Sequence, residues 1–456
     1  MAAMHWTHDA IARNVARVTG YRAGEPGYRR VVLALFAAGV ATFALLYSTQ
    51  ALLPEFAGAF GLTPARSSWS LSLATIGLGV TLLITGPMSE RIGRTRPIHL
   101  SLTLSALVGL GCAAAPGWHA LLALRLLQGV TLAGLPAVAT AYLREELHPG
   151  THARAAGLYI GGTALGGMAG RLITGGVADA FGWRWALAAV AAVGLACAAA
   201  VAALLPASRN FVARPTAAMT RRALTDPALL ILYAIGACAM GAFVAVYNAI
   251  GFRLTSAPFA LGAGAAGAVF LVYPLGTLSS ALAGRLADRY GRRAVMPFGC
   301  ALTAIGLLLT LPDKVPFVIG GLAVMTAGFF VVHGVASGWV PVRAHLGGVP
   351  AGQAASLYLV AYYAGSSLFG SLSGAAWTLG AWPAVVLLAA AFVALSGLLA
   401  TGLRRIPALT PTPPTTASTT TASTTTTGTR AEAASNGAAS NGAASNAAAS
   451  NAAASR

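Results

Sequence analysis

Apolar runs long enough to cross a bilayer recur along this chain, and they constrain its fold more than any motif does. A membrane-spanning helix needs about 20 mostly apolar residues. Such runs lie near 31–53, 67–88, 97–115, 118–141, 153–177 and 183–205, and, after a polar link at 206–227, near 228–250, 264–286, 294–311, 315–340, 351–376 and 380–402. Backbone amides in hydrocarbon must bond within a helix or a closed barrel. Runs of this length therefore predict an all-α integral membrane protein of about twelve transmembrane helices, in two six-helix halves at 31–205 and 228–402. Only 9% of the residues are charged, against about 25% in soluble domains, so no soluble fold would solvate this surface.

The formal net charge of +18 does not mark a nucleic-acid binder, because such proteins gather their basic residues on exposed polar faces. Here the basic residues sit between apolar runs. One side of the expected topology receives Arg22, Arg29, Arg30, Arg91, Arg94, Arg96, Arg144, Arg154, Arg209, Arg221, Arg222, Arg285, Arg289, Arg292, Arg293, Arg343, Arg404 and Arg405, with Arg13, Arg17, Arg214, Arg430 and Arg456. The other side has only Arg66, Arg184, Arg253 and Lys314. Cytoplasmic loops are the ones enriched in Lys and Arg, so both termini are expected in the cytoplasm and the partner is the lipid bilayer, with no nucleic acid. Residues 1–30 read as a cytoplasmic segment, since the run behind them is too long for a signal-peptide core. The Thr-, Ala-, Ser- and Asn-rich tail at 403–456 is expected to be disordered. Cys112, Cys197, Cys238 and Cys300 all lie in apolar runs without metal or disulfide spacing and read as packing residues.

The halves repeat one another. Gly86-Pro-Met-Ser-Glu-Arg-Ile-Gly-Arg94 returns as Gly284-Arg-Leu-Ala-Asp-Arg-Tyr-Gly-Arg292, 198 positions later. At a separation of 199, Leu158-Tyr159 returns as Leu357-Tyr358, Gly166 as Gly365, Gly175 as Gly374 and Trp183 as Trp382. Parallel repeats of this kind place a solute site at their interface, near the bilayer midplane, and work by rocking of the halves. Glycines at 157, 161, 162, 166 and 170 mark the fifth run as a helix against which others pack closely.

The doubled loop Gly-x3-Asp/Glu-Arg-x-Gly-Arg resembles the signature loop of the major facilitator superfamily. That resemblance implies the major facilitator fold and a conformational latch role for Gly86, Glu90, Arg91, Gly93 and Arg94, and for Gly284, Asp288, Arg289, Gly291 and Arg292, with Glu90 standing where Asp is usual. Leu124-Arg-Leu-Leu-Gln-Gly129 resembles the family's Arg-x-x-Gln-Gly motif, which implies a part in proton coupling for Arg125, with Gln128 beside it. Gly170-Arg-Leu-Ile-Thr-Gly-Gly176 resembles the exporter motif Gly-Pro-x-x-Gly-Gly, but with Arg171 at the proline's place and one extra residue. From 31 to 405 the chain is similar to the acriflavine-sensitivity branch of bacterial inner-membrane exporters, carried by Ala-Thr-Phe-Ala-Leu-Leu-Tyr47, Gly-Leu-Tyr-Ile160 and Gln-Ala-Ala-Ser-Leu-Tyr358. The resemblance implies a monomeric secondary transporter that moves a small drug-like or metabolite solute outward against protons, with no cofactor beyond the proton gradient. Metabolite uptake or exchange is the alternative, because the fifth run lacks the motif's proline.

An arginine inside a span is costly and usually faces a bundle interior or a wet cavity. Arg125 therefore either serves transport or snorkels to the nearer surface. Arg171 at similar depth, with Glu55 and Asp179 close to that level, forms either a shared polar network or separate interfacial anchors. His333, well inside a span, either couples to a proton or packs. Tyr47, Gln50, Asn248, Tyr273 and Tyr362 line the expected cavity or glue helices together. No Asp or Glu occupies the middle of a run, and the chain offers no paired acids, metal cluster or activated nucleophile, so it does not read as an enzyme. A Gly-x-Gly-x-x-Gly string at 262–267 lacks the preceding strand and later acid of a dinucleotide site. His148 and His152 flank Pro149-Gly150, which breaks the helical spacing that zinc would need.

Overall fold

The computed structural model describes residues 20–211, 213, 220–407 and 409. The first nineteen residues and the tail beyond 409, with Arg13, Arg17, Arg214, Arg430 and Arg456, lie outside the described residues. Among the described residues, nine helices are long and apolar enough to cross a membrane. Two of them, His152–Leu204 and Ala351–Gly402, are each broken once, at Gly182 and at Gly380–Ala381. With Thr95–Ala113 the chain makes twelve passes, as the apolar runs predict.

The passes are α1 (Pro26–Phe60, interrupted after Tyr47), α2 (Pro64–Ile92), α3 (Thr95–Ala113), α4 (Trp118–Glu146), α5 (152–181) and α6 (183–204). The second half supplies α7 (Pro227–Thr255), α8 (Ala263–Tyr290), α9 (Arg292–Leu309), α10 (Val315–Leu346), α11 (351–379) and α12 (382–402). Proline opens several of them, where its missing N–H costs nothing, and Thr63 and Asp226 cap α2 and α7 by accepting the amides of Arg66 and Leu229. Gly93 and Gly291, equivalent in the repeat, turn α2 into α3 and α8 into α9 at φ of 92° and 83°; a side chain would be strained there.

Packing follows the repeat. Within the halves, α1 lies along α5 and α7 along α11. A methyl group at Gly166 would overlap the Val40 carbonyl, and one at Gly365 the Ala237 carbonyl. Between the halves, α2 meets α11 and α5 meets α8. The second glycine pair serves these contacts, with Gly374 against Pro64–Ala65 and Gly175 against Ala263 and Gly267.

Candidate solute site between the halves

Helix α1 stops at Tyr47, and Ser48 Oγ donates to the Leu45 carbonyl before a 3-10 turn at Gln50–Leu52. The break releases the last carbonyls of a helix, which carry the negative end of its dipole. Arg125 of α4 occupies them. Its Nη1 donates to Leu45 O at 3.1 Å, Nη2 to Leu46 O at 2.6 Å and Nε to Ser70 O at 2.9 Å, while Gln128 accepts from Nη1 and donates to Ser105 O. Arg125 is fully buried, so it does not snorkel, and its donors go to groups of its own half.

Arg171 of α5 is placed differently. Nε donates to Gln50 Oε1 at 2.7 Å and Nη1 to the Gly167 carbonyl at 2.6 Å. Three aromatic rings face the guanidinium, Tyr47 at 4.2 Å and, from the other half, Tyr273 at 4.6 Å and Phe270 at 4.9 Å. Among the described residues no carboxylate lies within salt-bridge distance of it. Gln50 in turn donates to Asn248 Oδ1 at 2.7 Å, and Asn248 Nδ2 to the Gly370 carbonyl at 3.3 Å. Gln50 and Asn248 stand 198 positions apart, so they are repeat equivalents that meet each other on the pseudo-twofold axis.

Glu55 and Asp179 join neither arginine. Glu55 accepts the Trp183 amide at the start of α6 at 2.7 Å. Asp179 reaches across to the other half and accepts the amides of Ala263 and Gly264, at 2.6 and 2.5 Å, capping α8. The single network of Arg125, Arg171, Glu55 and Asp179 that the sequence allowed is thus four separate attachments, because each acid is taken by a helix N-terminus. His333 of α10 lies with Nδ1 3.0 Å from the Tyr358 hydroxyl, among the rings of Phe329 and Tyr362. The Tyr247, Phe270 and Phe329 rings extend this aromatic wall toward Arg171, and nothing periodic in the sequence singles them out.

Further hydrogen bonds join the halves where α2 meets α11, Ser72 to Ser371 at 2.7 Å and Thr75 to Ser367 at 2.6 Å. Hydroxyls at this helical spacing are a signal of interhelical glue that the sequence reading did not use. With Gln50–Asn248 and the Asp179 cap, these ties lie toward the end remote from the arginine-rich loops.

The two signature loops are not equivalent. Arg94, nearly buried, donates to Ser89, Glu90 and Glu145, at 2.6, 2.9 and 2.8 Å. Burial works against its charge, yet Glu145 and Glu90 hold its pKa above the ordinary arginine value. Arg91 is exposed. In the second loop Asp288 and Arg289 are exposed and make no ion pair among the described residues. The matching clamp of that half runs instead from Arg343 to Asp226, at 2.9 and 3.2 Å.

Two repeated six-helix halves with a polar, aromatic-walled candidate site between them are the architecture of a secondary transporter. The sequence model of the Major Facilitator Superfamily matches residues 32–282, and the chain belongs to that superfamily, whose members are transporters, not enzymes. It is 42% identical to the inner membrane transport protein YnfM of Escherichia coli, over 84% of this chain and 92% of that one. The uncharacterized MFS-type transporter YybF of Bacillus subtilis is 38% identical over 81% of this chain and 92% of its own. Among solved structures, a bacterial homolog of the human lysosomal transporter Spinster, inward-facing and unoccupied, superposes with a TM-score of 0.68 at 14% identity, over 84% of this chain and 98% of that one. That likeness concerns the fold alone.

Proposed function

We propose that this transporter exports a small drug-like or metabolite solute in exchange for protons, with its arginine-rich loops and both termini in the cytoplasm. One observation carries the reading: Tyr47, Gln50 and Arg171 from one half meet Asn248, Phe270 and Tyr273 from the other around one point. A solute held there touches both halves, so its binding is coupled to their rocking. The ties between the halves lie at the end remote from the arginine-rich loops, which favours loading from the cytoplasm. His333 supplies an ionisable ring in the aromatic wall, hydrogen-bonded to the Tyr358 hydroxyl. The 42% identity to an inner membrane transport protein favours the same membrane for this chain.

Flux in oriented vesicles tests the proposal. Inside-out vesicles carrying the full chain are expected to accumulate ethidium or a labelled metabolite when their lumen is acidified, and the lumenal pH is expected to rise as the solute enters. Accumulation confined to right-side-out vesicles would reverse the direction. The second reading, uptake or exchange, is favoured by Arg171 at the place of the exporter motif's proline.

A further inference from the structure

Arg171 is a buried cation with no carboxylate within salt-bridge distance among the described residues. Its guanidinium carries five N–H donors, of which Nε goes to Gln50 and Nη1 to Gly167 O. Both acceptors are neutral. The nearby acids are occupied elsewhere, Glu55 by the Trp183 amide and Asp179 by the start of α8. Rings cover the faces of the guanidinium, but leave its remaining in-plane donors without an anionic acceptor among the described residues. A second observation lies in the other half: the hydroxyl of Tyr273, whose ring is one of those facing Arg171, is buried, and its O–H donates to no acceptor among the described residues. Unpaired buried polar groups in a native structure call for a partner, and here an orphan donor stands beside a cation that lacks an anion.

We propose that the carboxylate of the transported solute completes this pair: the substrate is an organic monoanion with an apolar or aromatic body. One carboxylate oxygen takes the free edge of Arg171 and the other the Tyr273 hydroxyl, so the anion bridges α5 of one half and α8 of the other. The body lies against Tyr47 and Phe270, whose rings already wall the place. This inference rests on the reading that solute binds between the halves. It also links binding to movement. A carboxylate is a stronger acceptor than a side-chain amide, so at the free edge it draws the guanidinium away from Gln50 Oε1, and Gln50 Nε2 is also the group that holds Asn248 across the axis. Loading the anion therefore loosens one of the ties that join the halves.

The purified full chain is titrated with benzoate, 1-naphthoate and octanoate, each against its own amide, with thermal unfolding as the readout. At least one acid is expected to raise the unfolding temperature, with its amide about tenfold or more weaker, as for a lost charge-assisted hydrogen bond. Arg171→Gln is expected to abolish the acid's effect and Tyr273→Phe to weaken it about tenfold; a monodisperse elution profile shows that each variant is folded. Equal shifts by acid and amide, no shift by any acid, or an acid shift that survives Arg171→Gln would each overturn the proposal. Spin labels at Gly58→Cys and Leu379→Cys, in a chain lacking its own cysteines, report the end remote from the arginine-rich loops, which is expected to widen with the acid and not with the amide. Vesicle flux separates the two levels. Export of neutral or cationic solutes that ignores Arg171→Gln would remove the anion and leave the exporter. Acid binding without outward flux would do the reverse.

Discussion

Two arginines lie inside spans, and burial treats them alike while their surroundings do not. Arg125 sits at the C-terminal end of the first part of α1, where carbonyls freed by the helix break supply both hydrogen bonds and negative potential. Its charge is compensated without an acid. Arg125→Gln leaves Leu46 O, at the broken end of its helix, unpaired, at about 1–3 kcal/mol, so the variant is expected to unfold at a lower temperature even without substrate. An unchanged midpoint would show that the carbonyl finds another donor. Asp226 offers a test by pH. Burial alone would raise its pKa, but the bonds from Arg343 and the Leu229 amide hold it below the usual 3.8. A depressed pKa gives stability that is complete above about pH 4 and is lost as pH falls through the lower, folded value. The unfolding temperature is therefore expected to drop on acidification below about pH 4, and Asp226→Asn, which still caps α7, is expected to flatten that limb of the profile.

Among the elements, the glycines of α5 separate contact from mere composition. Gly166 touches the α1 backbone, whereas Gly157 and Gly161, in the same run, face open space. Gly161→Ala is expected to be neutral, while Gly166→Ala, and Gly365→Ala at the equivalent place, force helices apart at about 1–3 kcal/mol. Folded yield and unfolding temperature of the three variants decide this, and equal behaviour would remove the close-packing argument. The twelve passes were legible because each span must satisfy its own backbone in hydrocarbon, so length and apolarity are enough to find it. Span ends were less so: α2 reads as 67–88 from apolarity but forms Pro64–Ile92, since a helix continues into polar surroundings where Arg66, Ser89 and Glu90 are at home. Tyr47, Gln50, Asn248 and Tyr273 stood out as polar groups in apolar runs, and they do converge with Arg171. Arg125 and Arg171 could not be told apart, because the rotation of a helix about its axis leaves no trace in hydropathy when neighbouring helices and lipid are equally apolar. Phe270 and Tyr247 were invisible for the same reason.

At the scale of the whole molecule, alternating access requires the ties between the halves to part together. Ser72 and Ser371 touch through their hydroxyls at 2.7 Å. A Ser72→Cys, Ser371→Cys variant, in a background without the four native cysteines, is expected to close a disulfide on oxidation, lose at least tenfold in transport rate and recover it in reductant. Undiminished transport by the oxidised protein would mean that α2 and α11 stay together through the cycle. The repeat is also broken where it meets the site: where one half has Arg171, the other has Gly370, a backbone carbonyl and no charge. Moving one charge across the whole membrane is worth about 2.3 kcal/mol per 100 mV, so rocking that carries Arg171 through a tenth of the field is worth about 0.2 kcal/mol. In the proposed orientation, with the arginine-rich loops cytoplasmic and the cell interior negative, voltage draws the empty carrier toward the state that loads from inside. An anion on Arg171 cancels the charge and frees the loaded carrier from that pull. On the proposed binding of an anion, Arg171 makes the transporter a voltmeter when empty and electrically silent when full, and the charge displaced by a voltage step is expected to vanish as solute saturates the site.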